Sequence, residues 1–258
     1  MLTSVSSDRK IVSDKDYAQF LSEGYFVLEA VIPKEDLEDL RSEVDRFVRE
    51  MDTEMDENGT DTLGITHRNS RYFVSAWRKS DKVRNFITSE LMAGICHDIL
   101  GENAYLVFEQ YVVKAAEKGM KFAWHQDSGY LGYDHPPYLT CWCTLDDVNE
   151  DNGTVYVLPY ERAGTRERVV HVREEGTNDL VGYFGEDPGV PVIAPAGSIA
   201  IFASTLFHRS GANTTDKMRR IYLPQYAAAP VMTSDGSAIA NLAEPVLLNG
   251  VRQVPKPL

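Results

Sequence analysis

The chain has 258 residues, 43% of them hydrophobic, enough to bury a substantial core as one large domain or two small ones, and a single domain over 1–258 is expected. A net charge of −13 argues against a nucleic-acid surface, although a local arginine pocket can still take an anion. Three cysteines are too few for a disulfide framework and fit a reducing, cytoplasmic setting. No apolar run reaches the ~18–20 residues of a membrane span, the first ten residues lack a signal-peptide apolar region, and Lys256-Pro257-Leu258 is a poor peroxisomal address.

Residues 13–23 read as a short helix capped by Ser13 or Asp14 and ended by Gly24, followed by a strand over Tyr25 to Leu28. Pro33 suits a first helical turn, and Leu37, Leu40, Val44, Phe47 and Val48 carry a helical period to about residue 50. The acidic stretch 51–63 reads as a loop with an Asn58-Gly59 turn, and 80–100 as one more helix stopped by Gly101. After residue 104 the pattern turns to strands: 105–115, 122–127, 138–145, 154–158, 168–172, 190–193, 198–203 and 219–227. Asn152-Gly153 looks like a hairpin turn, and Pro195-Ala196-Gly197 like another turn. Residues 173–189, rich in Gly and acids, are long for a hairpin and read as a candidate lid. Helices first and strands after indicate a mostly β fold with flanking helices. The expected layout is helical support over about 13–100, a β-core over about 104–228 and a C-terminal extension over 229–258.

The chemistry sits in His125-Gln126-Asp127 and in His208, 81 positions after Asp127. Two histidines and a carboxylate hold Fe(II) on one face and leave the opposite positions open. On a strand, side chains two apart point the same way, so His125 and Asp127 can reach one metal; on a helix they would diverge by about 200°. Arg219 follows His208 by eleven positions, across a turn that would bring it back to the same pocket. A guanidinium there is a bidentate carboxylate receptor, and iron beside a carboxylate clamp is what a 2-oxo acid cosubstrate requires. Arg220 should face the other way, toward solvent or a surface partner. Cys141 and Cys143 read as buried thiols, since thiolates suit other metals better. His67, His97, His135 and His171 match no such pattern, and His97 reads as structural.

With these residues in place the chain resembles the phytanoyl-CoA dioxygenase family of Fe(II)/2-oxoglutarate oxygenases. The resemblance runs from DYAQFLSEGYFVLEAVIPKEDLEDL through WHQD and CWCTLDDVNEDNGTVYVLP to HRSGAN and the Arg219-Arg220 pair. It implies a double-stranded β-helix (jelly-roll, cupin-like) core. It also implies Fe(II) on His125, Asp127 and His208, 2-oxoglutarate on Arg219, O2 as oxidant, and hydroxylation of a small-molecule metabolite with release of succinate and CO2. By family offset Ser210 shares the distal carboxylate, while Gln110 contacts the cosubstrate or else pairs across the sheet. Arg71 lies where relatives carry a basic residue near cosubstrate or substrate; of Arg68 and Arg71 at least one is expected to be a solvated charge. Trp142 and Tyr130 line the pocket or belong to the core. Halogenating relatives lack the carboxylate, so Asp127 favours hydroxylation. Pro159-Tyr160-Glu161-Arg162 stands where many relatives have Pro-Gly-Ser-His, which leaves the substrate open. A cupin-like binding protein that kept its metal site, or a non-redox cupin-type enzyme, is the competing reading; the latter would need no Arg219 clamp.

Overall fold

The computed structural model describes residues 10–117, 119–175 and 179–258. In chain order the elements are α1 (Asp14–Glu23), β1 (Tyr25–Leu28), α2 (Lys34–Asn58), β2 (Thr62–Leu63), β3 (Thr66–His67), β4 (Arg71–Val74), α3 (Asp81–Ile87) and α4 (Glu90–Leu100). Then follow β5 (Ala104–Lys114), β6 (Phe122–His125), a 3-10 turn (Asp127–Tyr130), β7 (Leu139–Thr144), β8 (Val155–Leu158), α5 (Tyr160–Ala163), β9 (Val172–Arg173) and β10 (Leu180–Val181). The last are β11 (Val190–Pro191), β12 (Ile199–Ala203), β13 (Phe207–Ser210), β14 (Arg219–Ala227), β15 (Glu244–Leu248) and β16 (Val251–Arg252).

Two antiparallel sheets face each other. The major sheet runs β1-β12-β7-β14-β5-β4-β3-β2, with β15 and β16 attached through β5. The minor sheet runs β11-β8-β13-β6. From β5 to β8, and again from β11 to β14, successive strands alternate between the sheets. This is the double-stranded β-helix, or jelly roll. Side-chain alternation on β7 serves both faces: Cys141 and Cys143 enter the core against the helices, while Trp142 enters the core between the sheets.

Ser13 caps α1 by accepting from the Asp16 N–H, and Gly24 ends it in the left-handed region. Several boundaries differ from expectation. Helix α2 runs eight residues past residue 50, to Asn58, because its periphery is anchored: Met55 is fully buried, and Arg68 bonds the Asp56 carboxylate and the Asp52 carbonyl. The expected helix over 80–100 is two helices, broken at Thr88-Ser89, where the Ser89 hydroxyl caps α4. The helical support over 13–100 also supplies four strands of the major sheet, and the C-terminal extension adds two more, with β15 paired to β5. Of 168–172 only Val172 joins a strand, the β9–β10 ribbon. Asn152-Gly153 closes no hairpin: β7 and β8 belong to different sheets, so the turn is a crossover between them.

Candidate metal and cosubstrate site

His125 and His208 are direct cross-strand partners on β6 and β13, with ring centroids 4.1 Å apart. Each ring turns its Nδ1 to a backbone carbonyl two residues back, Ala123 at 2.8 Å and Leu206 at 3.1 Å. Those bonds fix Nδ1 as the protonated nitrogen and aim both Nε2 lone pairs into the cavity. Tyr130 lies edge-on to His125 and Phe202 packs on His208. Burial, and then the neighbouring His208, lowers the His125 pKa to about 4, so the ring is neutral at ordinary pH.

Asp127 does not lie on the strand as expected. β6 ends at His125, and Asp127 opens the 3-10 turn. Gln126 between them is still extended, at φ −114° and ψ 140°, so the alternation carries one residue past the ladder. Thr140 Oγ1 and Gln225 Nε2 both donate to Asp127 Oδ2, at 2.6 and 2.9 Å. Oδ1 faces His208 Nε2 at 3.5 Å. Ligand atoms of His125, Asp127 and His208 all lie within 4.8 Å of one another. That donor set, two imidazoles and a carboxylate on one side of a cavity, suits Fe(II).

The cavity of about 460 Å³ between the sheets is lined by all three of these residues and by Arg71, Gln110, Ser210 and Arg219. Trp142 and Tyr130 line it as well. Arg219 is 2% exposed; its Nη2 donates to the Gly153 carbonyl at 3.1 Å, and its Nε and Nη1 are buried with no partner. Burial lowers its pKa to about 10. Gly153 holds φ +75°, and a Cβ there would come within 2.6 Å of the Gly211 carbonyl oxygen, so the turn that serves Arg219 needs glycine. A buried guanidinium with idle N–H groups facing a cavity fits a carboxylate.

Ser210 lines the same end and accepts a hydrogen bond from Lys114 at 2.8 Å. Lys114 was not singled out from the sequence. Its signal was available: a lysine closing an apolar strand, in register with Arg219. Thr140 and Gln225 were missed too, and nothing in their spacing marks them. Arg71 is 7% exposed and donates to the Ile65 carbonyl, so of the two arginines in 68–71 it is the buried one; Arg68 is tied by α2 acids. Arg220 faces away from the cavity, as expected, but meets Asp146 and Asp45 rather than solvent. Residues 159–162 lie off the cavity lining: Tyr160 packs on Gly24 and bonds Thr205, and Arg162 pairs with Asp187. Of the candidate lid, 176–178 lie outside the described residues; Asp179 lines the cavity, and the Gly182 N–H bonds the Trp124 carbonyl on β6.

A family profile described as phytanoyl-CoA dioxygenase (PhyH) matches residues 20–221. The chain belongs to this family. It is an Fe(II)- and 2-oxoglutarate-dependent dioxygenase. Among similar proteins is phytanoyl-CoA dioxygenase domain-containing protein 1 of Danio rerio, 24% identical, with 82% of this chain and 89% of that protein covered. Ectoine dioxygenase of Stutzerimonas stutzeri is 21% identical over 78% of this chain and 72% of its own. Among solved structures, EctD from S. alaskensis with 2-oxoglutarate and 5-hydroxyectoine aligns at TM-score 0.69 and 18% identity, covering 94% of this chain and 88% of that one. The carbocyclase SnoK from nogalamycin biosynthesis aligns at TM-score 0.67 and 18% identity, covering 98% and 99%. Both share the fold of this phytanoyl-CoA dioxygenase family member. Among the described residues no helix is long and apolar enough to cross a membrane.

Proposed function

We propose that this dioxygenase hydroxylates an aliphatic carbon of a small-molecule metabolite, with His125, Asp127 and His208 holding Fe(II) and with Arg219 and Ser210 holding the distal carboxylate of 2-oxoglutarate. The observation that carries the reading is the coexistence, in one cavity, of a three-ligand face and a buried arginine whose Nε and Nη1 have no partner. Bound Fe(II) supplies the redox chemistry that couples decarboxylation of 2-oxoglutarate, to succinate and CO2, with oxidation of the substrate by O2.

The chain's own residues then divide three tasks. The carbonyls of Ala123 and Leu206 keep the imidazoles in the Nδ1–H form. Thr140 and Gln225 occupy Asp127 Oδ2, which directs Oδ1 to the metal. Arg219 orients the cosubstrate by a forked contact, with the Trp142 ring under its guanidinium at 5.6 Å. Gln110 takes the carboxylate nearer the metal, and Arg71 an anionic group of cosubstrate or substrate. Ile65, Phe108, Tyr130 and Leu131 line the cavity as an apolar wall for the substrate. The solved relatives bound to 5-hydroxyectoine and to nogalamycin RO support a small-molecule substrate. We place the protein in the cytoplasm, with 1–258 acting as one catalytic domain; its three free, buried cysteines agree with a reducing compartment.

The test is a metabolite screen for gain of one oxygen atom that depends on both 2-oxoglutarate and iron, with succinate measured alongside. Stoichiometric succinate and oxygenated product support the reading. Binding of metal and 2-oxoglutarate with no succinate across the screen, even in uncoupled turnover, would favour a binding protein.

A further inference from the structure

Lys114 is the last residue of β5 and is 0% exposed. It is in register with Arg71 on β4 and with Arg219 on β14, so three basic residues form one row across three adjacent strands. Its Nζ donates to Ser210 Oγ at 2.8 Å and to the Gly211 carbonyl. Among the described residues no carboxylate forms an ion pair with either Lys114 or Arg219. Two buried cations side by side without a counter-ion are costly to bury. Burial pushes the Lys114 amine well below the ordinary lysine range, and Arg219 adds to the shift. An anion seated at this end of the cavity offsets both penalties.

An ammonium only donates, whereas a hydroxyl has one proton and two lone pairs. With an anion in the cavity to keep the amine charged, Ser210 accepts from Lys114, and its own proton is left to point elsewhere. Ser210 and Arg219 line the cavity, whereas Lys114 lies behind them. We propose that Lys114 is a positioning residue: it locks Ser210 as a donor into the cavity and adds a second positive charge behind it. Together these make the site select a 2-oxo dicarboxylate over a 2-oxo monocarboxylate. This deepens the proposed function and rests on its assignment of this end of the cavity to the distal carboxylate.

The experiment is calorimetric titration of the anaerobic Fe(II)-loaded chain with 2-oxoglutarate and with 2-oxovalerate, which lacks the distal carboxylate. Wild type, Lys114→Met, Lys114→Gln, Ser210→Ala, the Lys114→Met/Ser210→Ala double variant and Arg219→Ala are compared. Lys114→Met should weaken 2-oxoglutarate binding by ~10- to 100-fold, the range of a hydrogen bond to a charged group. It should leave 2-oxovalerate almost unchanged, so discrimination collapses. Ser210→Ala should add little in the Lys114→Met background, because one acts through the other. A merely structural lysine would weaken both acids equally, which overturns the proposal. If Lys114→Met does not fold, Lys114→Gln, which keeps an N–H donor without the charge, carries the test: reduced discrimination supports the proposal, and wild-type discrimination overturns it. Failure of both variants to fold would make Lys114 a structural residue and overturn it as well. If Arg219→Ala binds both acids as wild type does, the cavity end itself is misassigned; if only the Lys114 variants are silent, Lys114 alone is.

Discussion

The major and minor sheets put different chemistry into one cavity. β5 and β14 of the major sheet are eleven and nine residues long, pair over most of that length with one register shift at Gln225-Tyr226, and have helices α2 to α4 behind them. The sheet contributes the basic row and Gln110. The minor sheet has strands of only two to four residues, yet it carries His125, His208 and Ser210. Long ladders suit a site that must bury charge. Short ladders suffice for the proposed metal ligands because side-chain tethers, not strand length, fix their geometry. Asp127 is where the two meet: it follows a minor-sheet strand, but Thr140 of β7 and Gln225 of β14 hold it.

The largest expected effect strikes the minor sheet. His125→Ala, Asp127→Ala or His208→Ala should each abolish turnover and iron retention while the far-UV spectrum is kept, since the major sheet holds the core. Iron content per chain and succinate release are the readouts; full activity in any one removes that residue from the ligand set. Asp127→Gly should also lose hydroxylation, and turnover at the wild-type rate would show that the carboxylate is no ligand.

Next comes the major sheet. Losing one partner of a desolvated charged pair costs on the order of 2–5 kcal/mol. Arg219→Ala should thus raise the apparent 2-oxoglutarate constant by roughly 30- to several-thousand-fold at about 1.4 kcal/mol per decade. Arg219→Lys should fall between, since a lysine lacks the fork. Initial rates against 2-oxoglutarate at fixed substrate decide it, and unchanged constants in both variants would undo the division of labour between the sheets.

A smaller effect sharpens the junction. Gln225→Leu and Thr140→Val remove donors to Asp127 Oδ2, and loss of such supporting bonds typically weakens metal affinity by about 10- to 100-fold. Equilibrium titration with Fe(II) tests this; wild-type affinity in both would mean the carboxylate is oriented by its turn alone. The smallest change in the cosubstrate constant belongs to Arg220→Ala. It breaks the links to Asp146 and Asp45 on the outer face, so thermal stability should fall while the 2-oxoglutarate constant stays within about twofold, as for a residue outside the pocket. A large rise in that constant would put the inward-facing register of β14 off by one.

How much was legible follows from which interactions are local. That His125 and Asp127 face one cavity, and that Arg219 faces it while Arg220 faces away, could be read because alternation along an extended chain is a property of neighbours in sequence. Helix α1 was readable for the same reason, with its cap and its terminal glycine adjacent. Helix α2 was misjudged at its end because the bonds that hold its last two turns come from Arg68 and Tyr72, both beyond the helix. Strand β15 went unseen because a five-residue strand has no periodic signal of its own until β5 pairs with it. Lys114, Thr140 and Gln225 act across strands far apart in sequence, where one chain read alone offers only residue type.

Gln126, the residue between two proposed ligands, is 0% exposed and joins two remote stretches of the chain. Its amide nitrogen bonds the carbonyls of Glu167 and Thr205, its amide oxygen takes the Val169 N–H, and its own N–H bonds His171 Nε2. The segment from Glu167 to His171 is thereby geared to the spacing between His125 and Asp127. Displacing that outer segment by even an ångström must strain or break one of these bonds. The spacing of His125 and Asp127 is thus coupled through Gln126 to a partly exposed segment 41 to 45 residues further along the chain.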